Sequence, residues 1–205
     1  MIARSPIAPP HPLAVEHGWE VSARRSSAPL RLQDLTPLAK VDLRAPDAGA
    51  TATSIGIAFG ASGRSDGALV IGSGPGEWLA LGPPGTETAL TELLDAHRDP
   101  DEHTSVVELT HGRALVRLTG QASREALSKL CGVDLSPGAV ADGAALRSSV
   151  ARLATDVVRD DQDGLPSFLL HCERSSGQYL FDCILDAGRE HGIDIDGFAS
   201  PGIRI

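Results

Sequence analysis

Residues 152–188 constrain the fold of this chain more tightly than any other stretch. Val157 and Val158 lie in a short apolar run, Gly164-Leu165-Pro166 interrupts it, and residues 168–172 make a second run. Two such runs on either side of a Gly/Pro break predict a pair of strands joined by a turn. Leu180, Cys183, Ile184 and Ala187 then recur at three- and four-residue intervals, the stripe of a helix packed on one face. Ser175 stands three residues before Gln178, the spacing of a capping box. In that motif the Ser hydroxyl accepts from a helical N–H and the Gln side chain returns to the Ser N–H. Strand, turn, strand, loop and helix in this order declare an α+β fold.

The same grammar recurs upstream. Residues 68–71 and 78–81 flank the turn Gly72-Ser73-Gly74-Pro75-Gly76, and a helix follows over 86–97 with Ala89, Leu90, Leu93 and Leu94 on one face. Residues 106–109 and 114–118 read as a hairpin around Thr110-His111-Gly112-Arg113. A helix over 121–131 follows, apolar at Ala126, Leu127, Leu130 and Cys131 and stopped by Gly132. A further strand is expected near 144–153. The unit therefore occurs near 68–98, 105–132 and 152–188. Strand, helix, hairpin, helix, strand is the ferredoxin-like split βαβ order. Antiparallel or mixed sheets with helices on one face are expected. They would form a body over residues 49–205 with two pattern-related lobes, about 65–135 and 136–205.

Residues 1–48 read differently. Seven of the fourteen prolines fall in the first 46 positions, at Pro6, Pro9, Pro10, Pro12, Pro29, Pro37 and Pro46. Proline removes a donor and fixes φ, which argues against long helices and central strands. Leu30, Leu32, Leu35, Leu38, Val41 and Leu43 nevertheless need an apolar environment. The expectation is an extended arm laid on another surface, either the chain's own body or a partner. On the partner reading, Leu35, Leu38, Val41 and Leu43 make the contacts.

The 205 residues suffice to bury ~70% of the unfolded surface without a disulfide or metal. A formal net charge of −9 argues against a nucleic-acid partner, which needs a positive surface. Cys131, Cys172 and Cys183 lack CxxC spacing and cannot all pair, which fits thiols in a reducing compartment. No apolar run nears the ~20 residues that span a bilayer, and the first fifteen residues lack a secretory h-region. A soluble, cytoplasmic protein is expected. Aromatic residues are only 3% of the chain, leaving few rings to stack on a flavin, a pterin or a base.

Catalytic motifs are sparse. The glycines of residues 72–76 lead into a strand at Trp78 rather than a helix, so they fit a turn and not a dinucleotide fingerprint. Neither a P-loop nor S-x-x-K is present. The seven histidines show no ligand spacing, and His97 continues the stripe of its helix. His111 and Arg113, at an expected hairpin tip, could hold an anion, shuttle a proton or contact a partner. Alternation puts His171 and Glu173 on one face and Cys172 on the other, against a Cys/His nucleophile pair. Asp156 and the Asp160-Asp161 pair could act as acid or base, or mark solvated turns.

Three segments carry a family resemblance: LTPLAKVDLRAP (35–46), VVELTHGRALVRLTG (106–120) and FLLHCERSSGQYLFDCILDAG (168–188). They resemble the gamma subunit of bacterial heterotetrameric sarcosine oxidase. That family implies a flavoenzyme oxidising sarcosine to glycine, with hydrogen peroxide and formaldehyde, or methylenetetrahydrofolate when folate is present. FAD, FMN, NAD, tetrahydrofolate and zinc would belong to the alpha, beta and delta partner subunits, and none to this chain. The fold implied is similar to the folate-binding part of aminomethyltransferase (T-protein). Asp156 is the one position that would carry over as a cofactor-binding residue. The expected role is a structural subunit without catalytic or metal-binding residues. The alternative is a stand-alone folate- or small-ligand-binding domain anchored by Asp156.

Overall fold

The computed structural model describes residues 2–199. The chain opens with β1 (Ala3–Arg4), β2 (Leu13–Glu16), β3 (Trp19–Ser22) and β4 (Leu30–Asp34). It continues through β5 (Ala39–Arg44), α1 (Ala50–Ile55), β6 (Ser62–Ser65), β7 (Ala68–Gly74), β8 (Glu77–Gly82), α2 (Glu87–Asp95) and β9 (Ser105–Glu108). The remainder is β10 (Arg113–Gly120), α3 (Ser123–Ser128), β11 (Ala145–Val150), β12 (Leu153–Arg159), β13 (Ser167–Glu173), α4 (Gly177–Gly188) and β14 (Ile193–Asp196). Residues 38–110 form one compact unit, and residues 2–37 with 111–199 form the other.

In residues 38–110 the strand order is β6-β7-β8-β5-β9. β5 runs antiparallel to β8 and β9, and β7 antiparallel to β8. β7 is thus parallel to β5, and β9 to β8. Without the edge strand β6, this is the split βαβ arrangement. Val41 and Leu43 of β5, Val70, Trp78 and Ala80 pack with Leu90 and Leu94 of α2. The Trp78 indole N–H donates to the Ile57 carbonyl at 2.8 Å, so the ring is buried with its polar atom satisfied. The β7–β8 turn at Pro75-Gly76 is the expected one, with Gly76 at φ +68°.

Residues 111–199 repeat the grammar. The sheet order is β11-β12-β13-β10-β4-β14, the same split βαβ plan with β4 inserted between β10 and β14. Val116, Leu118, Phe168, Leu170, Val157, Leu30 and Leu32 face Ala126 and Leu127 of α3 and Leu180, Phe181 and Ile184 of α4 in one core. Insertion of β4 depends on Gly120, whose φ is +144°. A Cβ there would stand 2.1 Å from the Pro29 carbonyl oxygen. A third sheet, β1-β3-β2, buries Trp19 and Val21. Its hairpin turns at His17-Gly18, both with positive φ, as a two-residue hairpin requires.

The α+β class, the split βαβ order and the helix stripe at 180–187 match the sequence reading. Four other readings differ. The N-terminal stretch is no arm: β4 and β5 are interior strands, and Leu35, Leu38, Val41 and Leu43 have no exposed surface. Pro29, Pro37 and Pro46 lie just outside those strands, so they punctuate the sheet instead of forbidding it. The unit boundary falls at 110–111 rather than near 135, because β5 is the first strand of its own lobe. Residues 106–109 and 114–118 are not a hairpin. β9 pairs with β5, whereas β10 pairs with β13 and β4, and alternation alone cannot name a strand's partner. The Ser175–Gln178 capping box does not form, since Ser176 precedes α4 without a side-chain cap. Gln178 instead accepts from the Ala8 N–H at 2.7 Å and donates to Asp182 at 2.8 Å.

Candidate functional site

Three adjacent strands place Arg147 of β11, Asp156 of β12 and His171 of β13 opposite one another in register. Cross-strand partners share a face, so the three side chains meet. Arg147 Nε donates to Asp156 Oδ1 at 2.5 Å and Nη2 to Oδ2 at 3.2 Å, a two-point clamp. His171 Nδ1 lies 3.4 Å from the same Oδ2. Burial pushes the Asp156 carboxyl up, the largest single influence. The hydrogen bonds and charges of His171 and Arg147 together outweigh it, and the pKa lies below its ordinary value. The carboxylate is therefore ionised and already engaged on both oxygens.

Along the same sheet, Arg117 of β10 is 2% exposed. Its Nη1 donates to the Asp160 carbonyl at 3.1 Å and to Ser167 Oγ at 3.0 Å, and its Nη2 to Asp160 Oδ2 at 2.6 Å. Thr119 Oγ1 adds a contact to Ser167 Oγ at 2.9 Å. Asp161 takes Arg159 at 3.0 and 2.8 Å. The Asp160-Asp161 pair is thus half of two ion pairs rather than a solvated turn. Sequence reading missed this because Arg117 lies 43 residues away, inside an otherwise apolar strand. It also missed Lys40, which has no exposed surface and donates through Nζ to the Leu38 carbonyl at 2.8 Å. A cation between Ala39 and Val41 is the only signal the sequence offered.

His111 and Arg113 do not converge on a site. His111 is exposed and stacks on Trp19, ring centroids 4.8 Å apart and 12° from parallel. Arg113 pairs with Glu173, its cross-strand neighbour. His97 accepts or donates to Ser54 Oγ at 2.9 Å. Cys172 packs into the core on the face opposite His171, and burial, the main cause, pushes its thiol up to about 11. A thiol so raised is a poor nucleophile at neutral pH. Among the described residues no group of three or more His, Cys, Asp or Glu side chains is placed to hold a metal ion. No described helix is long and apolar enough to cross a membrane.

Two split-βαβ units in one chain define the class: an α+β chain of the aminomethyltransferase fold. Aminomethyltransferase T of the glycine cleavage system from Bartonella henselae superposes with a TM-score of 0.69 at 15% identity. The match covers 90% of this chain and 55% of that one. A chain of heterotetrameric sarcosine oxidase from Corynebacterium sp. U-96, solved with pyrrole 2-carboxylate, shares the fold with a TM-score of 0.69 at 23% identity. There the match covers 83% of this chain and 89% of the other. Sequence narrows the class. Residues 48–190 match the model of the sarcosine oxidase, gamma subunit family. Sarcosine oxidase subunit gamma of Corynebacterium sp. (strain P-1) is 32% identical over 148 residues, 67% of this chain and 71% of that protein. The chain belongs to the sarcosine oxidase gamma subunit family.

Proposed function

We propose that this chain is the gamma subunit of a cytoplasmic heterotetrameric sarcosine oxidase and that its role there is structural. The assembly would oxidise sarcosine to glycine with hydrogen peroxide and formaldehyde, or methylenetetrahydrofolate when folate is supplied. Alpha, beta and delta subunits would carry FAD, FMN, NAD, tetrahydrofolate and zinc. One observation carries the structural reading: Asp156, the single position with a prospective ligand role, is clamped by Arg147 and His171 within its own sheet. A pterin binding there would have to displace both. His111, exposed on Trp19, and Arg113, paired with Glu173, are kept as partner-contact residues.

The test is purification of the tagged chain from its source cell at native stoichiometry. Recovery with yellow flavoprotein subunits is expected, and recovery of the chain alone would refute the assembly. The chain incubated with FAD or FMN and then desalted should show no flavin band. Tetrahydrofolate titration separates the alternative reading: saturable binding that vanishes in Asp156→Ala would make this a folate-binding domain instead.

A further inference from the structure

The small sheet β1-β3-β2 ends in an unprotected edge. Among the described residues β2 pairs only with β3, and the Ala23 N–H donates to the Pro12 carbonyl at 2.8 Å. Antiparallel pairs alternate between bonded and non-bonded. Residues 12 and 23 form a bonded pair, so the register makes Ala14/Val21 and Glu16/Trp19 the next bonded pairs. Leu13 and Val15 consequently turn their N–H and C=O groups away from β3. The outward backbone coincides with an apolar face. Leu13 is 40% exposed and Val15 57%, and Ile2, beside β1, is 55% exposed on the same small sheet. Edge strands of self-sufficient proteins are blunted by Lys, by a bulge or by a proline whose missing N–H would have pointed outward. β2 is short and carries one charge, Glu16 at its end, but no Lys, bulge or proline interrupts its apolar positions Leu13 to Val15.

We infer that β2 receives an extended segment of a neighbouring subunit, which adds to this sheet as a further strand. The inference rests on the assembly proposed above. Backbone groups spaced two residues apart fit a strand and no other element. The size of the strip fixes the kind of occupant. Four residues span about 13 Å, and one strand spacing either side gives on the order of 100–200 Å² per partner. A free-standing homodimer needs roughly 1,200 Å² in total. The edge cannot hold a second copy by itself, so its occupant is a chain held elsewhere as well, a subunit of the same complex. That segment would carry apolar side chains at alternate positions, facing Leu13 and Val15.

Hydrogen exchange read residue by residue on the co-purified wild-type complex tests this. The Ala14 and Glu16 amides are bonded to β3 and exchange slowly in either case. With a strand added, Leu13 and Val15 become slow too. Fast exchange at Leu13 and Val15 beside slow Ala14 and Glu16 overturns the inference and leaves the assembly standing. If no flavoprotein subunit co-purifies with the wild-type chain, the assembly reading fails, and this inference falls with it. Val15→Pro removes an outward N–H without touching the β3 ladder. It should lower recovery of the partner subunit about two- to tenfold, the effect of one strand hydrogen bond. Val15→Lys, which retains the backbone, should do the same by placing a charge against an apolar segment. Undiminished recovery with both variants overturns the inference.

Discussion

The two split-βαβ lobes run through the same sequence of elements, first strand, helix, edge strand, hairpin, helix, last strand, yet they close differently. In residues 38–110 the last strand, β9, pairs directly with the first, β5. In residues 111–199 the last strand, β14, pairs with β4, which in turn pairs with β10. A strand from the N-terminal stretch has been let into the second sheet. It brings Leu30 and Leu32 to the core, and β14 is tied to its surroundings by polar bonds, Arg24 and Ser26 to Asp194 and Gln33 to Asp196. Sheet plan thus tolerates a non-local insertion where backbone geometry admits the strand, and Gly120 is what admits it. A second parallel is chemical. Each first strand carries one buried cation on the face away from its helices, Lys40 in β5 and Arg117 in β10.

The strongest way to break the comparison is to remove what the lobes take from the N-terminus. Deleting residues 1–46 removes β4 and β5, an interior strand of each large sheet. The truncated chain should show no cooperative thermal transition by circular dichroism. Next in size is Gly120→Val. Its Cβ would lie 2.1 Å from the Pro29 oxygen and 3.0 Å from Leu30 Cα, backbone atoms that cannot swing aside, at a φ of +144°. A loss above about 4 kcal/mol is expected in urea titration. Gly82→Ala in the other lobe is the control, since the atoms nearest its Cβ belong to the side chains of Thr86 and Leu90. It should cost about 1–3 kcal/mol. Equal costs would show that the inserted strand does not depend on Gly120.

The buried cation of the second lobe gives a smaller and reversible effect. Asp160→Ala strands the Arg117 guanidinium without its carboxylate, a change that typically costs about 3–5 kcal/mol. The pair Arg117→Met with Asp160→Leu removes both charges and should recover most of that loss. If the single and double variants unfold at the same urea concentration, packing rather than charge pairing governs the site.

Local chemistry was readable and partner choice was not. The stripe at Leu180, Ile184 and Ala187, the Pro75-Gly76 turn and the opposite faces of His171 and Cys172 follow from periodicity and turn residues, and all stand. The error over residues 30–43 came from reading proline as a property of a whole segment. Its constraint acts at one position, and Pro29 and Pro37 sit at strand ends. The false hairpin at 106–118 and the missed Arg117–Asp160 pair share a cause, because alternation and charge say which face is buried but not which distant strand lies opposite. Asp156 was singled out for a ligand role, and its carboxylate lies engaged within its own sheet. Arg147 and His171, its clamp, were invisible because register alone brings them together.

The smallest expected effect concerns that clamp. Asp156 is ionised below its ordinary pKa in the folded chain, with burial opposing and His171 and Arg147 prevailing. A depressed carboxyl stabilises the fold fully above the unfolded value of about 3.9. As pH falls below that value the unfolded chain takes up the proton first, and the contribution is gone once pH passes the folded pKa. The wild type should therefore lose stability between about pH 4 and the start of acid unfolding. Asp156→Asn, which cannot ionise, should be less stable at neutral pH and show a shallower decline across that window. Glu102 offers the counterpart in the other lobe. Its carboxylate accepts from the Ala50 and Thr51 N–H groups at the start of α1, at 2.5 and 3.0 Å, and bonds to Thr51 lower its pKa. Lying half-buried at the surface, it is still reached by salt, so Glu102→Gln should flatten the acid limb most at low ionic strength. Urea titrations at several pH values, at low and high salt, read both variants. An acid limb in Asp156→Asn as steep as the wild type's would mean that Arg147 and His171 hold the neutral side chain as well as the charged one.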